Sequence, residues 1–170
     1  MKLFLACSPG LEQPLEEEAR ERGLKARAVP GGVEAEGAPD AHEEANLWLR
    51  CATRVWVRVV EVGQPAELAR VSLGAFLPKG RPIALDCPPR WQSAAERAWG
   101  RSSAHGLQVL LREDERGRCQ VSVDSSGELL HVRGYRQELF KAPLRETLAA
   151  GVLRRAGYRT LILLGKFVGG

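Results

Sequence analysis

The sequence lacks long hydrophobic runs and has few aromatic residues. Aromatic side chains make up 6% of the 170 residues, and no apolar stretch approaches the roughly 18 residues of a membrane-spanning helix. The apolar start at Met1 resembles a signal peptide only briefly, because Pro9 and the acidic residues after it interrupt the apolar run. We therefore expect a cytoplasmic protein with no membrane partner. With 44% apolar and 27% charged residues, the chain can bury a globular core.

Cysteine pairs and catalytic motifs are also missing. The widely spaced cysteines form no C-x-x-C pair and have no histidine at ligand spacing, so we predict no metal site and interpret each as a small buried hydrophobe. The three histidines are far apart, and neither a G-x-S-x-G elbow nor a G-K-[ST] phosphate loop occurs. The acidic run Glu16 to Glu18 is interpreted as a solvated helix face. No catalytic residue is predicted.

Positive charge is concentrated in the second half of the chain. Residues 1–80 hold 10 Lys and Arg against 12 Asp and Glu, whereas residues 81–170 hold 15 against 9. Arginine supplies 20 of the 25 basic residues, and its planar guanidinium group binds phosphate in a bidentate manner and stacks on bases. This favours a nucleic-acid partner. The alternative is an arginine-rich composition that reflects genomic base composition alone.

The first 62 residues predict a β-α-β-β-α-β unit. A short apolar strand at Leu3 to Leu5 precedes a helix that ends at Gly23. A hairpin follows around Pro30-Gly31-Gly32, and a second helix then directs Ala45, Trp48 and Leu49 toward a core. An alternating strand covers residues 54–62. This order is that of a ferredoxin-like domain.

The remainder predicts further helices and strands in mixed order. We expect a helix from Pro65 to about Phe76, strands at residues 83–87, 107–111, 119–123 and 129–132, and a strand at 160–164. The stretch 88–104 is ambiguous, although its tryptophans share one helical face. Pro143 opens the clearest helix, whose apolar stripe is Leu144, Leu148, Val152 and Ala156. The fold class is therefore α+β.

Three motifs in the right order resemble a known family. The segment D-S-S-G-E-L-L-H-V-R-G-Y-R at 124–136, with A-P-L-R-E-T-L-A-A-G-V-L-R-R-A-G-Y at 142–158, resembles the end of the THUMP region and the linker helix of bacterial THUMP-containing RNA methyltransferases. L-F-L-A-C-S-P-G-L-E at 3–12 and V-P-G-G-V-E-A-E-G at 29–37 are similar to the ferredoxin-like N-terminal domain of that family. The family includes enzymes that methylate N2 of guanine in large-subunit ribosomal RNA.

The resemblance implies three parts. We expect a ferredoxin-like domain at 1–62, a THUMP RNA-binding domain at 63–136, and a linker helix with the truncated start of a methyltransferase domain at 137–170. The family binds S-adenosylmethionine at a D-P-x-C-G-S-G-T-like loop, and the sequence contains neither this loop nor an N-P-P motif, since Asn46 is its only asparagine. We therefore expect no cofactor in this chain, and S-adenosylmethionine only in a full-length relative.

The expected RNA contacts are basic and aromatic residues of the second half. The Arg-Gly-Tyr-Arg segment combines guanidinium groups, an aromatic ring and a glycine that permits close backbone approach. Relatives have a longer helical insertion where this chain has only Pro88 to Ser103, so we expect a smaller RNA-facing surface there. The predicted RNA-binding residues are Arg90, Arg97, Arg101, Arg133, Tyr135, Arg136, Lys141 and Arg145. The alternatives are an ordinary solvated surface and, for Arg133 and Arg136, packing of the linker helix.

The leading hypothesis is the RNA-recognition part of a methyltransferase that modifies 23S ribosomal RNA at guanine N2, with no methyl transfer by this chain alone. Its partner would be structured RNA, and we expect ribosomal RNA. The alternatives are an inactive truncated remnant and a scaffold module that pairs, through the apolar run Leu161 to Leu164, with a separate catalytic subunit or with a second copy. The sequence leaves the oligomeric state open.

Overall fold

The computed structural model describes residues 1–76, 81–130 and 144–158. In chain order the elements are β1 (Lys2–Ala6), α1 (Glu12–Glu21), β2 (Lys25–Val29), β3 (Gly32–Glu36), α2 (Ala41–Trp48), β4 (Arg54–Val62), a short 3₁₀ helix (Pro65–Arg70), β5 (Ile83–Asp86), α3 (Pro89–Trp99), β6 (Leu107–Glu113), β7 (Cys119–Asp124) and α4 (Glu146–Arg155). The mixed α+β class expected from the sequence is confirmed.

All strands belong to one sheet with the order β2-β3-β1-β4-β7-β6-β5. In its first half, β1 lies between β3 and β4 and is antiparallel to both. This is the strand order of two interleaved β-α-β units, so the predicted β-α-β-β-α-β unit is confirmed. In the second half, β4 pairs antiparallel with β7 and β7 with β6, whereas β5 and β6 are parallel and are connected through α3.

A bulge in β4 keeps the apolar side chains of both halves on one face of the sheet. Val57 pairs with Val123, and Val60 pairs with Val121, so the register shifts by one residue between Arg58 and Val60. Because side chains alternate along a strand, the extra residue returns Val60 to the same face as Val57. The helices therefore all cover one face, and the opposite face carries none in the described part of the chain.

Two adjoining apolar clusters lie between the sheet and the helices. The first joins Leu3 and Leu5 of β1 to Leu15 of α1 and Ala45 of α2. The second surrounds Trp91 of α3, which is fully buried among side chains of β5, β6, β7 and the 3₁₀ helix. Phe76 packs against both clusters. Burial of Trp91 explains why 89–99 is a full helix although its flanks are rich in proline and glycine.

The helix α4 packs on α1 through small residues rather than through its predicted apolar stripe. Thr147 and Gly151 are buried, and a Cβ added to Gly151 would lie 2.3 Å from Leu11 Cδ2. Arg154 Nη2 also contacts Glu21 Oε1 at 2.6 Å. Leu144 and Val152 are instead 54% and 59% exposed. The predicted face is wrong because the glycine permits the closest approach of the two helices.

Three further sequence expectations differ from the structure. The helix expected from Pro65 stops at Arg70, and the following residues form turns. Trp48 does not enter the core but is 48% exposed. Glu18 is buried, so the interpretation of the acidic run as a fully solvated face is wrong at this position.

Leu129 and Leu130 are not in a strand, and the remainder of the expected strand 129–132 lies outside the described residues, as does 160–164. Within the described ranges, no helix is long and apolar enough to cross a membrane. The same ranges bring together no group of three histidine, cysteine, aspartate or glutamate side chains able to hold a metal ion.

Candidate nucleic-acid interface

Arg90 is held by its neighbours in the first turn of α3. Its Nη1 contacts Glu113 Oε1 of β6 at 2.7 Å, and its guanidinium carbon lies 5.6 Å from the centroid of the Trp91 ring. The side chain is still 55% exposed. The adjacent carboxylate offsets the positive charge, so Arg90 presents a weaker electrostatic target to phosphate than an unpaired arginine would.

Arg97 and Arg101 are exposed at the other end of α3. Arg97 lies in the last helical turn, and Arg101 follows Gly100, whose φ of 100° ends the helix. Neither side chain forms an ion pair with another residue of the described ranges. Two uncompensated guanidinium groups therefore flank the end of one helix, which is an arrangement suited to phosphate oxygens.

Arg145 lies in a different part of the molecule. It immediately precedes α4 and is exposed, and its carbonyl oxygen accepts the Ala149 N–H at 3.0 Å. The helix α4 packs on α1, whereas α3 packs on β5 and the 3₁₀ helix. Among the described candidates, Arg97 and Arg101 therefore lie at the same end of α3, whereas Arg145 precedes a different helix.

The four remaining candidates, Arg133, Tyr135, Arg136 and Lys141, lie outside the described residues. The chain just before them is firmly anchored. Ser126 Oγ accepts the Val55 N–H at 2.8 Å and donates to Asn46 Oδ1 at 2.8 Å, and the Leu130 N–H donates to Thr53 O at 3.0 Å. Residues 126 and 130 are thereby fixed against α2 and the start of β4.

Asp124 further stabilises the chain around Ser126. Its carboxylate accepts the Ser126 N–H at 2.8 Å and forms an ion pair with Arg54. Burial raises the pKa of Asp124 above its usual value, against the opposing effects of these partners. The group acts as a buried structural acceptor at the start of the segment.

The cysteines do not offer a nucleophile. Burial, aided by nearby carboxylates, raises the pKa of Cys7 and of Cys51 to about 12, and burial raises the pKa of Cys119 to about 11. These thiols are therefore protonated near neutral pH, and the thiolate is the reactive form. A reactive thiol at these positions is disfavoured.

The helix-free face of the sheet holds a cleft that the sequence analysis missed. It has a volume of about 350 Å³ and is lined by Phe4, Trp56, Arg58, Asp86, Leu110, Arg112 and Ser122. Arg58 pairs with Glu34 at 2.6 Å, and Arg112 pairs with Asp86 at 3.1 Å. A signal for this cleft was present in the sequence, because aromatic and apolar residues occupy strand positions that lie between the core-facing ones.

A second cavity, of about 500 Å³, lies between α1, α4 and the end of α2. Its walls include Trp48, Leu153 and Tyr158, all of them about half exposed. Arg22 lies over the Trp48 ring, with its guanidinium carbon 4.9 Å from the ring centroid. Charged side chains of α1 and α4, among them Glu21 and Arg154, complete the wall of this cavity.

The sheet order and the two helices on one face define the first part of the chain as a ferredoxin-like domain. Comparison with known families narrows this class, because residues 2–56 match the RlmL ferredoxin-like domain.

Curated relatives extend the similarity over nearly the whole chain. Ribosomal RNA large subunit methyltransferase K/L of Pseudomonas paraeruginosa is 33% identical over 92% of this chain and 26% of its own length. The protein of the same name from Marinobacter nauticus is 30% identical over 91% of this chain and 25% of its own length. The resemblance to bacterial ribosomal RNA methyltransferases is confirmed, and the chain spans about a quarter of the length of these relatives.

Solved structures share the fold. A Listeria monocytogenes protein described as a "predicted N6-adenine-specific DNA methylase" superimposes with a TM-score of 0.71 at 25% identity, over 89% of this chain and 47% of that one. TrmN from Thermus thermophilus gives a TM-score of 0.68 at 22% identity, over 92% of this chain and 54% of that one. The second similarity concerns the fold alone.

Proposed function

We propose that this chain is the RNA-recognition part of an S-adenosylmethionine-dependent methyltransferase that modifies large-subunit ribosomal RNA at guanine N2. The observation that carries the proposal is the 30–33% identity, over more than nine-tenths of the chain, to methyltransferases named for ribosomal RNA. Residues 63–136 would form a THUMP domain. The chain would bind RNA in the cytoplasm and would not transfer a methyl group by itself.

The residues present do not fit the methyl donor. In an α/β methyltransferase the cofactor needs a glycine-rich loop after a strand, and in the described ranges the parallel strands β5 and β6 are joined by Cys87-Pro88-Pro89 and α3 instead. No step of methyl transfer is therefore assigned to this chain. Its contribution is to position RNA.

Phosphate contacts from the end of α3 would supply the positioning. Arg97 and Arg101 are exposed and, among the described residues, unpaired with any carboxylate. Contacts with phosphate fix the register and orientation of an RNA but do not read its sequence. Double-stranded RNA is recognised mainly through its shape and backbone, which suits a rigid helix end that carries two guanidinium groups.

The test is binding of the purified chain to a structured fragment of large-subunit ribosomal RNA and to transfer RNA across a salt series. We expect salt-dependent binding to the ribosomal fragment. Replacing Arg97 and Arg101 with glutamine should reduce the slope of log affinity against log salt by about 1.4 to 1.8, because each lost phosphate contact removes about 0.7 to 0.9.

The matched control removes two positive charges elsewhere. Arg20→Gln with Arg22→Gln changes the end of α1, where Arg20 already pairs with Glu16 at 2.5 Å. The slope should change less in this control than in the α3 variant. Equal slopes in both variants would show that α3 makes no specific contact, and absence of binding at low salt would refute RNA recognition by this chain.

A second candidate is a scaffold module without RNA affinity. It is favoured by the exposed apolar residues of α4, since Val152 is 59% and Leu153 is 46% exposed. Contiguous apolar surface on a soluble protein marks an interaction site. Sedimentation or scattering would detect self-association. Its loss in a Val152→Ser and Leu153→Ser variant, together with the absence of RNA binding by the wild-type chain, would support the scaffold.

A further inference from the structure

The face of the sheet that carries no helix within the described ranges has an unusual pattern of side chains. Along β1, β4 and β6 the residues that alternate with the core include Phe4, Trp56 and Leu110. A sheet face without helices is normally solvated and polar, whereas here Trp56 is only 9% exposed and Phe4 and Leu110 are half-buried, so these three large apolar residues need an explanation. They line the same cleft although they are distant in sequence.

We propose that this cleft binds one unpaired nucleotide of the RNA, with the base against the apolar floor and the phosphate on Arg58 and Arg112. The inference rests on the proposed function and deepens it, because it assigns a single-stranded element to a surface separate from the arginines of α3. The helix α3 covers the opposite face of the sheet, since Trp91 packs with Val109 and Leu111 of β6 whereas Leu110 lines the cleft.

The position of Phe4 is fixed by its surroundings. A Cβ added to Gly32 of β3 would lie 2.8 Å from Phe4 Cζ, so the ring occupies the space that the glycine leaves. The Arg58 guanidinium carbon lies 5.1 Å from the ring centroid. The pair forms a preformed platform, and an RNA base stacks on aromatic rings and on guanidinium planes alike.

Both arginines of the cleft can exchange their partners for phosphate. The side chains of Glu34 and Asp86, which pair with Arg58 and Arg112, are 45% and 67% exposed. Both members of the Arg112–Asp86 pair are more than half exposed, and such pairs contribute about 0 to 1 kcal/mol. The Arg58 side chain is only 20% exposed, but its partner Glu34 is readily solvated on release. A phosphate oxygen gains two charge-assisted donors in return.

The volume of the cleft suits a single nucleotide rather than an RNA duplex. A cleft of about 350 Å³ lies at the lower end of the roughly 300 to 1,000 Å³ range of small-ligand pockets. A paired base cannot enter it, because its faces and edges are occupied within the duplex. Unstacked bases of loops and bulges are the elements of RNA that aromatic side chains bind.

The experiment compares two fluorescein-labelled probes, an RNA hairpin with a single-stranded loop and a fully paired RNA duplex of equal length. Phe4→Leu keeps an apolar side chain but removes the ring, and Arg58→Lys keeps the charge but removes the planar group. Each should weaken binding of the hairpin by about fivefold to a hundredfold, as expected for one lost stacking interaction. Binding of the duplex should not change.

Arg112→Gln should lower the salt slope for the hairpin by about 0.7. Arg116→Gln in the β6–β7 loop is the charge-matched control, and circular dichroism reports whether each variant is folded. Should Phe4→Leu fail to fold, Arg58→Lys decides the matter alone.

The outcomes separate the two proposals. A wild-type chain that binds neither probe at low salt refutes RNA recognition and the cleft together. Wild-type binding that survives Arg58→Lys, or a loss that is equal for hairpin and duplex, refutes the cleft and leaves RNA recognition standing. Selective loss of hairpin binding supports both.

Discussion

Removing the carboxylate of Glu18 should destabilise the fold far more than removing that of its neighbour Glu17. Glu18 lies on α1 and is 7% exposed. Its two oxygens accept the backbone N–H groups of Arg50 and Cys51, each at 3.0 Å. These amides follow α2 and lead into β4, so one side chain joins the first helix to the connection between the second helix and the central strand.

The magnitude follows from the two amides that would lose their acceptor. A buried donor left without a partner costs about 1 to 3 kcal/mol, and the Cys51 amide is the more deeply buried of the two. Glu18→Ala should therefore lower the free energy of unfolding by about 2 to 4 kcal/mol. Glu18→Gln keeps one acceptor oxygen and should cost about half as much.

Urea denaturation followed by circular dichroism measures these changes, with Glu17→Ala as the control. Glu17 is exposed on the same helix, and surface substitutions usually change stability by less than about 0.5 kcal/mol. Similar unfolding free energies for Glu18→Ala and Glu17→Ala would refute the argument. Unequal m-values would instead indicate a change in the unfolded or native ensemble.

Two other predictions test the anchor and the thiols. Asn46→Ala should lower the free energy of unfolding by about 1 to 3 kcal/mol. The reason is that Asn46 Nδ2 donates to Ser125 Oγ at 2.9 Å and Asn46 Oδ1 accepts from Ser126 Oγ. An unfolding free energy, measured by urea denaturation, within about 0.5 kcal/mol of the wild-type value would contradict this. Cys51 and Cys119 are fully buried and have raised pKa values, so an aromatic disulfide reagent at pH 8 should label these two thiols only in denaturant. Peptide mass analysis distinguishes them from the partly exposed Cys7 and Cys87, and rapid labelling of Cys51 or Cys119 in the native protein would contradict the prediction.

The first half of the fold was predictable because its signals are local. Alternating residues specify β4, and Gly23, with a φ of 80°, ends the turn after α1 as its position in the sequence indicates. The sequence leaves 88–104 ambiguous because Pro88, Pro89 and Gly100 flank a short apolar stripe. In the structure, burial of Trp91 outweighs these weak helical flanks. The orientation of α4 was not predictable, since it depends on the approach of Gly151 to Leu11.

The candidate site, like the fold, was only partly predictable from the sequence. Sequence indicates that the second half is basic, but the ion pair that engages Arg90 depends on the position of Glu113 in β6. The cleft requires the order β1-β4-β7-β6, which brings Phe4 and Leu110 to one surface although they are distant in sequence. Such long-range strand order is not encoded in any local pattern.

The domain boundary placed after residue 62 stays a prediction.

The shared strand β4 has a consequence for any attempt to divide the molecule. Its nine residues pair with β1 on one side and with β7 on the other. A fragment that kept β4 without β7 would present a row of unsatisfied backbone amides and carbonyls, which invites pairing between molecules. The transferable building block is therefore the entire seven-stranded sheet, and a fusion protein or chimaera should exchange it as one piece.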